Sequence, residues 1–441
     1  MAEERYAEKV PEITSIWGEI NIFRRWLDIE IAILEAQEEL NLIPKGTVIK
    51  IKTAGIYIDV NDIKEKEKET NHDVVAFVKS IEKPLDKETK PYLHRNVTSY
   101  DDVDTALCIT MYGSLALIIR GLLEVMDVLK KEASRFKYTA QIGRTHGMHA
   151  EPITFGVKLL NWYAELERHL ERLSQMQEKI RIGKISGAVG MYNLPPEVEK
   201  LALQKLGLKP DKITNQIIGR DRHADYVYAL TLLACSLEKF ATEIRNLQRP
   251  EIAEVQEGFK KGQKGSSIMP FKKNPIACEN ICSLARLMRG FLQTAMENTQ
   301  TWHERDLANS ANERIILKDA SIYCCFMLKR FKDIISNWVI NEKRMLDNIY
   351  LSGGVIFSSK IVSKLTEKGM AYQEAYDLTQ EIGFKILENN HRWDNSNYFE
   401  AALCRSEKIR AYLSEKEINE CFDLNKQFLS HVGKIFERFE M

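Results

Sequence analysis

Apolar residues recur along most of the chain at helical spacing. Ile22 to Leu40 reads as an amphipathic helix that stops near Asn41 and Pro44. Met111, Leu115, Ile118, Leu122, Val125 and Leu129 alternate steps of four and three, and a second stripe, Ile119, Leu123 and Met126, lies beside them. A helix apolar on more than one side is buried among several others. Leu166, Leu170, Leu173, Met176 and Ile180 mark another long helix. Tyr226, Leu230, Leu233, Leu237, Phe240, Ile244 and Leu247 mark a third, with the spacing of near-parallel packing. Stripes of this length predict a bundle of long helices. Val48 to Ile58 alternates as a strand would. Tyr372 to Leu387 reads as one helix, and Glu415 to Val432 supplies one or two more.

This pattern predicts an all-α protein of three domains. Residues 1–111 form a mostly helical N-terminal domain, 112–360 a central bundle of long helices, and 361–441 a small helical C-terminal domain. Wide apolar faces on the long helices predict that bundles from several chains merge into one multi-helix core. Lys+Arg and Asp+Glu both number 63. Zero net charge argues against a general nucleic-acid or membrane-surface binder, while leaving room for a local cationic pocket. No apolar run is expected to span a bilayer, and Met-Ala-Glu-Glu-Arg-Tyr at the start lacks the pattern of a signal peptide. The eight cysteines are scattered and read as reduced core residues of a cytoplasmic protein. None has the partners of a zinc site, so no metal is expected.

The chemistry lies at helix ends. Residues 262–275, Gly-Gln-Lys-Gly-Ser-Ser-Ile-Met-Pro-Phe-Lys-Lys-Asn-Pro, are broken by Gly262, Gly265 and Pro270 into a loop. Its backbone N–H groups and lysines can surround an anion. On its own such a loop is more often a solvated connection. Further polar clusters lie at Asn71-His72-Asp73, at 94–105, at 143–156 with His146 and His149, at 183–193 with three glycines, at Arg220-Asp-Arg-His223, and at 302–314. Each could be an ordinary charged helix end. Together they are hard to explain by folding alone.

The order Gly265-Ser266-Ser267-Ile268-Met269-Pro270-x-Lys272-x-Asn274-Pro275 resembles the signature of the fumarase/aspartase/argininosuccinate lyase superfamily. The resemblance runs over nearly the whole chain. It is carried by Arg5-Tyr6, His72-Asp73, Thr98-Ser99, Gly143-Arg-Thr145-His146-Gly, Gly187-Ala-Val-Gly190, Gln216, Arg220-Asp-Arg-His223, and Arg305 with Ser310 and Arg314. It implies a homotetramer with active sites shared between subunits. The implied activity is release of fumarate from adenylosuccinate, giving AMP, and from the corresponding succinylated aminoimidazole carboxamide ribotide, both steps of purine synthesis. By the same resemblance Ser266 is the base and His146 the acid, with His72 and Lys272 also catalytic. Thr98, Ser99, Thr145, Gln216, Lys272 and Asn274 are suited to the succinyl carboxylates. Arg5, Tyr6, Arg305, Ser310 and Arg314 match positions for the nucleotide and its phosphate, with Asn71, His72 and Asp73 nearby. No cofactor is implied, because the substrate's own carboxylate is the electron sink. Residues 95–97, Tyr100, Phe271, Asn309, Asn312, Met191 and Tyr192 depart from the common pattern. Two other readings remain open at this point: a sister lyase or cycloisomerase acting on another dicarboxylate, and a helical scaffold without catalysis.

Overall fold

The apolar stripes fold as long helices. In the computed structural model, which describes residues 4–259, 262–389 and 396–440, these helices are Ser99–Arg135, Phe155–Lys179, Asp221–Leu247, Ile276–Glu297 and Ser310–Asn337. Every residue of the stripe from Tyr226 to Leu247 is buried, as are Leu115, Ile118, Leu122, Val125 and Leu129. Leu123, in the second stripe, remains 48 % exposed in the single chain. The protein is all-α. Among the described residues, strands are confined to three two-stranded ladders. Ala140–Thr145 pairs antiparallel with Met148–Thr154, Ile182–Gly183 parallel with Lys209–Pro210, and Val255–Gln256 antiparallel with Val339–Ile340.

One expectation is corrected. The alternating stretch from Val48 is not a strand but opens with the helix Thr47–Thr53. Val48 and Ile51, three apart, enter the core, while Ile49 between them is exposed. Helical spacing therefore outweighs the alternation there. Ser99–Arg135 is long and apolar enough by composition to cross a membrane. Its apolar stripe is instead buried inside the protein.

The chain divides into two units. The first comprises Met1–Leu123, Glu167–Glu238 and Asn280–Arg330, the second Glu124–Leu166, Lys239–Glu279 and Phe331–Met441. Each boundary falls inside one of the long helices. In the first unit, helix Glu19–Glu39 packs on Pro196–Lys205. Trp26, Ile29, Ile33, Phe77, Val198 and Leu203 share that core, and Phe77 stacks on Phe23 at 6.0 Å between centroids. In the second unit Trp162 stacks on Phe240 at 4.8 Å. A separate cluster joins Ile142 of the hairpin to Ile349, Phe357, Leu365, Phe399 and Phe422. The expected helix from Tyr372 runs to Asn389, and the last segment forms Glu415–Cys421 and Ser430–Glu437.

The first two turns of Ser99–Arg135 bury three carboxylates, Asp101, Asp102 and Asp104. A helix N-terminus favours negative charge, but burial demands a partner as well. Asp101 pairs with the fully buried Lys184 and accepts from the backbone N–H of Thr98 at 2.9 Å, reaching back as in half of a capping box. Asp104 takes Arg220 in a two-pronged pair at 2.6 and 2.9 Å. Asp102 is different, because neither of its oxygens has a hydrogen-bond partner.

The nearest cation to Asp102 is His94, 3.5 Å away, which itself lies 2.5 Å from Glu30. Burial opposes charge on His94, yet the facing carboxyl groups of Asp102 and Glu30 raise its pKa to about 10. Its stabilising contribution is complete below the unfolded value of about 6.5 and is lost as pH rises through the folded value. For Asp102, burial first and then the Glu30 charge push the pKa well above the carboxylate range, while His94 pulls the other way. The native state thus keeps a proton that the unfolded chain releases above about pH 4, so this group lowers stability as pH rises. Asp102→Asn removes that penalty with little change of shape. Between about pH 5 and pH 8 the melting temperature of the variant is expected to fall less steeply than that of the wild type. A parallel or steeper fall would show that native Asp102 is ionised.

Candidate active site

In the first unit, the expected substrate-binding residues gather where three helices begin. Asn71 ends helix Val60–Thr70 in the left-handed region, at φ 48°, a conformation asparagine tolerates better than most residues. The chain reverses there, and His72 becomes the N-cap of Asp73–Ile81. Its Nδ1 accepts from the Val75 N–H at 3.4 Å. Neutral imidazole then carries its proton on Nε2, which lies 3.4 Å from Ser99 Oγ. Asp73 accepts from Arg314 at 2.7 Å. The Tyr100 hydroxyl donates to Ser310 Oγ at 3.4 Å, and Arg305 lies over the Tyr100 ring. A cavity of about 360 Å³ opens here, lined in part by Asp73, Tyr100, Arg220, Ser310 and Arg314.

A buried ion-pair network forms part of this wall. Arg220 contacts Glu313 as well as Asp104, His223 Nδ1 lies 2.9 Å from Glu313, and Asn309 donates to Glu313 at 2.8 Å. Asn309 in turn accepts from Arg305 at 3.2 Å. Arg220 and His223 are thus buried supports for the start of helix Ser310–Asn337. Gln216 donates to the carbonyl of Ala188, inside the glycine-containing turn. That turn is anchored by Tyr192, whose hydroxyl donates to Glu199 at 2.8 Å. Burial and the Glu199 carboxylate push the Tyr192 phenol up to about 12. Arg5 is exposed on the short helix Glu4–Ala7. Tyr6 packs against Tyr323 and Phe326 and accepts from Asn280 Nδ2, and those contacts set it apart from the Arg305–Arg314 group in this chain.

In the second unit, His146 occupies a hairpin turn. Thr145 pairs with Met148, so the loop is His146-Gly147 alone, with φ 56° and 80°. Two successive left-handed residues are what a two-residue hairpin requires, and they hold the exposed imidazole at the tip. The neighbouring His149 has its pKa lowered, first by burial and then by the Arg144 charge. Buried Glu254 fixes the hairpin: it accepts from Gln141, from Arg144 at 2.7 and 3.2 Å, and from Asn348 at 2.7 Å.

The Ser266 loop folds back on itself. Asn274 donates to the carbonyl of Gly265 at 2.9 Å, and Gln248 donates to that of Lys273 at 2.9 Å. Asn274 therefore braces the loop, which sequence alone did not indicate. Gly265 is pressed against the backbone: a Cβ there would lie 1.8 Å from the Lys272 oxygen. Glu257 caps the following helix by accepting from the N–H groups of Ala277 and Cys278. Ser266 Oγ accepts from the backbone N–H groups of Ile268, at 3.3 Å, and Met269, at 3.0 Å. Two converging N–H dipoles stabilise negative charge on that oxygen. Lys272 and Thr145 are exposed on the same unit. Among the described residues no hydrogen bond joins Ser266 to His146. Among the described residues, Glu30, His94 and Asp102 bring ligand atoms within 4.8 Å of one another. The Glu30–His94 bond already bridges two of the three.

Asp101, Glu254, Glu257, Glu313 and Tyr100 escaped sequence reasoning as site residues. Their partners lie far along the chain, and a carboxylate's burial leaves no periodic signal.

The helical fold, the serine loop and the histidine turn define a lyase of the fumarase/aspartase/argininosuccinate lyase superfamily. A family profile described as "Lyase" matches residues 4–290, and one described as "Adenylosuccinate lyase C-terminus" matches 354–439. Curated adenylosuccinate lyases of Thermotoga maritima and Bacillus subtilis are 43 % and 45 % identical, each alignment covering 99 % of both chains. The chain belongs to the adenylosuccinate lyase family. Solved structures share the fold at lower identity. A fumarate lyase from a Mesorhizobium species has a TM-score of 0.87 at 22 % identity over 97 % of each chain, and a 3-carboxy-cis,cis-muconate lactonizing enzyme from Pseudomonas putida has 0.86 at 24 % over 98 %.

The close approach at Gly265 gives a direct test. Gly265→Ala is expected to spring the loop open, so that limited proteolysis cuts within 262–275 much faster than in the wild type. The melting temperature should stay unchanged, because the loop contributes little core. Equal cleavage rates would mean the loop is not held by this contact.

Proposed function

We propose that Ser266 is the base and His146 the acid with which this C–N lyase releases fumarate from adenylosuccinate, and from the corresponding succinylated aminoimidazole carboxamide ribotide, in purine biosynthesis. Family membership supports the reaction, and the environment of Ser266 Oγ is the observation that carries the residue assignment. Elimination breaks a C–H bond beside a carboxylate and then the C–N bond. The C–H electron pair becomes the new C=C bond, and the nitrogen leaves with the C–N pair. A neutral serine is a poor base. Its alkoxide is stabilised by the Ile268 and Met269 N–H groups, with the Lys272 ammonium six residues on. His146 protonates the leaving nitrogen. Thr98, Ser99, Thr145, Gln216, Lys272 and Asn274 hold the succinyl carboxylates. Arg305, Ser310 and Arg314 take the phosphate, a task suited to arginine's fork, with Arg5 and Tyr6 contributed to the nucleotide end. His72, oriented by its cap bond, is a further catalytic residue in this reading.

The working form is a homotetramer whose active sites draw on several subunits. Large apolar side chains on the functional loops support this: Ile213, Ile268, Phe271 and Trp302 are each at least 78 % exposed in the single chain. Their burial against a second copy would satisfy surface that a solvated loop leaves bare. The enzyme is assigned to the cytoplasm, in keeping with its metabolic reaction and its buried thiols.

Ser266→Ala is expected to reduce fumarate release from adenylosuccinate at least about a thousandfold while substrate still binds. Near-normal turnover would remove Ser266 as the base. Mixed tetramers of Ser266→Ala and His146→Ala should regain part of the activity once subunits exchange. Verified exchange without recovery would rule out shared sites.

A further inference from the structure

Tyr100 makes two contacts that the reaction as described does not use. The Arg305 guanidinium carbon lies 3.9 Å from the centroid of its ring. Its hydroxyl donates to Ser310 Oγ. A serine oxygen that accepts this bond keeps its own O–H proton for another acceptor. Arg305 is held on one side only, through Nη1 to Asn309, while its Nε and Nη2 are buried without a hydrogen-bond partner. A buried donor left unmet is costly. The face of an aromatic ring offsets part of that cost, and an anion with several oxygens would meet it more fully. Asp306 fixes the backbone around Arg305 by accepting from the N–H groups of Trp302, at 2.5 Å, and Ala308, at 2.7 Å.

We propose that Tyr100 is a positioning residue for the substrate's phosphate monoester: its ring aims the Arg305 guanidinium, and its hydroxyl turns the Ser310 proton toward the phosphate oxygens. The inference rests on the reading that Arg305, Ser310 and Arg314 bind that phosphate. Tyr100 is the second residue of helix Ser99–Arg135, so its Cα is fixed by the ion pairs of Asp101 and Asp104 one to four positions on. The ring is therefore presented by a rigid element. Its effect should fall on binding of the phosphorylated end and leave the elimination step alone.

The test uses the full-length enzyme with Tyr100→Leu, which removes ring and hydroxyl, and Tyr100→Phe, which removes the hydroxyl alone. KM and kcat are measured with adenylosuccinate. Inhibition constants are measured for AMP and for adenosine, which lacks the phosphate. Tyr100→Leu is expected to raise KM and the AMP constant about tenfold, the scale of one partly desolvated cation–π contact. The adenosine constant should not change, and kcat should stay within about twofold. Tyr100→Phe keeps the stacking and should cost less than about threefold. Equal weakening of AMP and adenosine, or a fall in kcat at constant KM, would overturn the proposal, since a merely structural role would give either result. Should Tyr100→Leu fail to fold, the Phe variant decides through the same AMP-to-adenosine ratio. Arg305→Ala separates the two ways of failing. If it abolishes the preference for AMP and Tyr100→Leu does not, the role of Tyr100 alone is wrong. If the preference survives Arg305→Ala, the phosphate assignment is wrong and the proposal falls with it.

Discussion

Three carboxylates buried in the first two turns of one helix set the terms for the first unit. A buried charge without a partner is more costly than almost any packing defect. Asp101 and Asp104 therefore dictate where Lys184 and Arg220 must lie, and with them the segments on which those cations sit. Arg220 then orders Glu313, and Glu313 orders His223 and Asn309. The exposed side chains that face the cavity are the outermost shell of this arrangement. Breaking the Asp101 pair would be expected to disturb Thr98 and Gly187, which it also holds, and breaking the Asp104 pair to disturb Arg305, which is reached through Arg220, Glu313 and Asn309.

The second unit solves the same problem with fewer charges. Glu254 and Glu257, three residues apart, brace the hairpin and the serine loop respectively. Both proposed catalytic side chains sit on exposed turns, but neither turn is loose. Backbone geometry holds His146 through two left-handed residues, and Ser266 through the N–H groups its oxygen accepts. This is the expected division between a rigid scaffold and the loops it presents.

The long helices were legible in the sequence because burial leaves a periodic trace. The stripe from Tyr226 to Leu247 is buried along its whole length. Alternation misled at Val48, where a short helix buries only residues three apart. The serine loop and the histidine turn were legible as motifs, through glycine, proline and residue order. What could not be read was the role of each polar residue within a cluster. Arg220 and His223 look like site residues in sequence and prove to be buried members of an ion-pair network with Glu313. Tyr100 looks like an incidental departure and sits under Arg305. Such assignments depend on contacts between positions some two hundred residues apart, as with Tyr100 and Ser310, and nothing local records them.

Glu254 carries a consequence for how the protein comes into being. Its ligands Gln141, Arg144 and Asn348 lie 113, 110 and 94 residues away along the chain. Contacts of that span form only after long loops have closed, which is slow and entropically opposed. During synthesis the hairpin carrying His146 emerges first, and its last tether emerges some two hundred residues later. The proposed acid is thus made well before the residue that completes its fastening. Catalytic competence is coupled to near-completion of the fold, and a half-made chain is unlocked at its own active site.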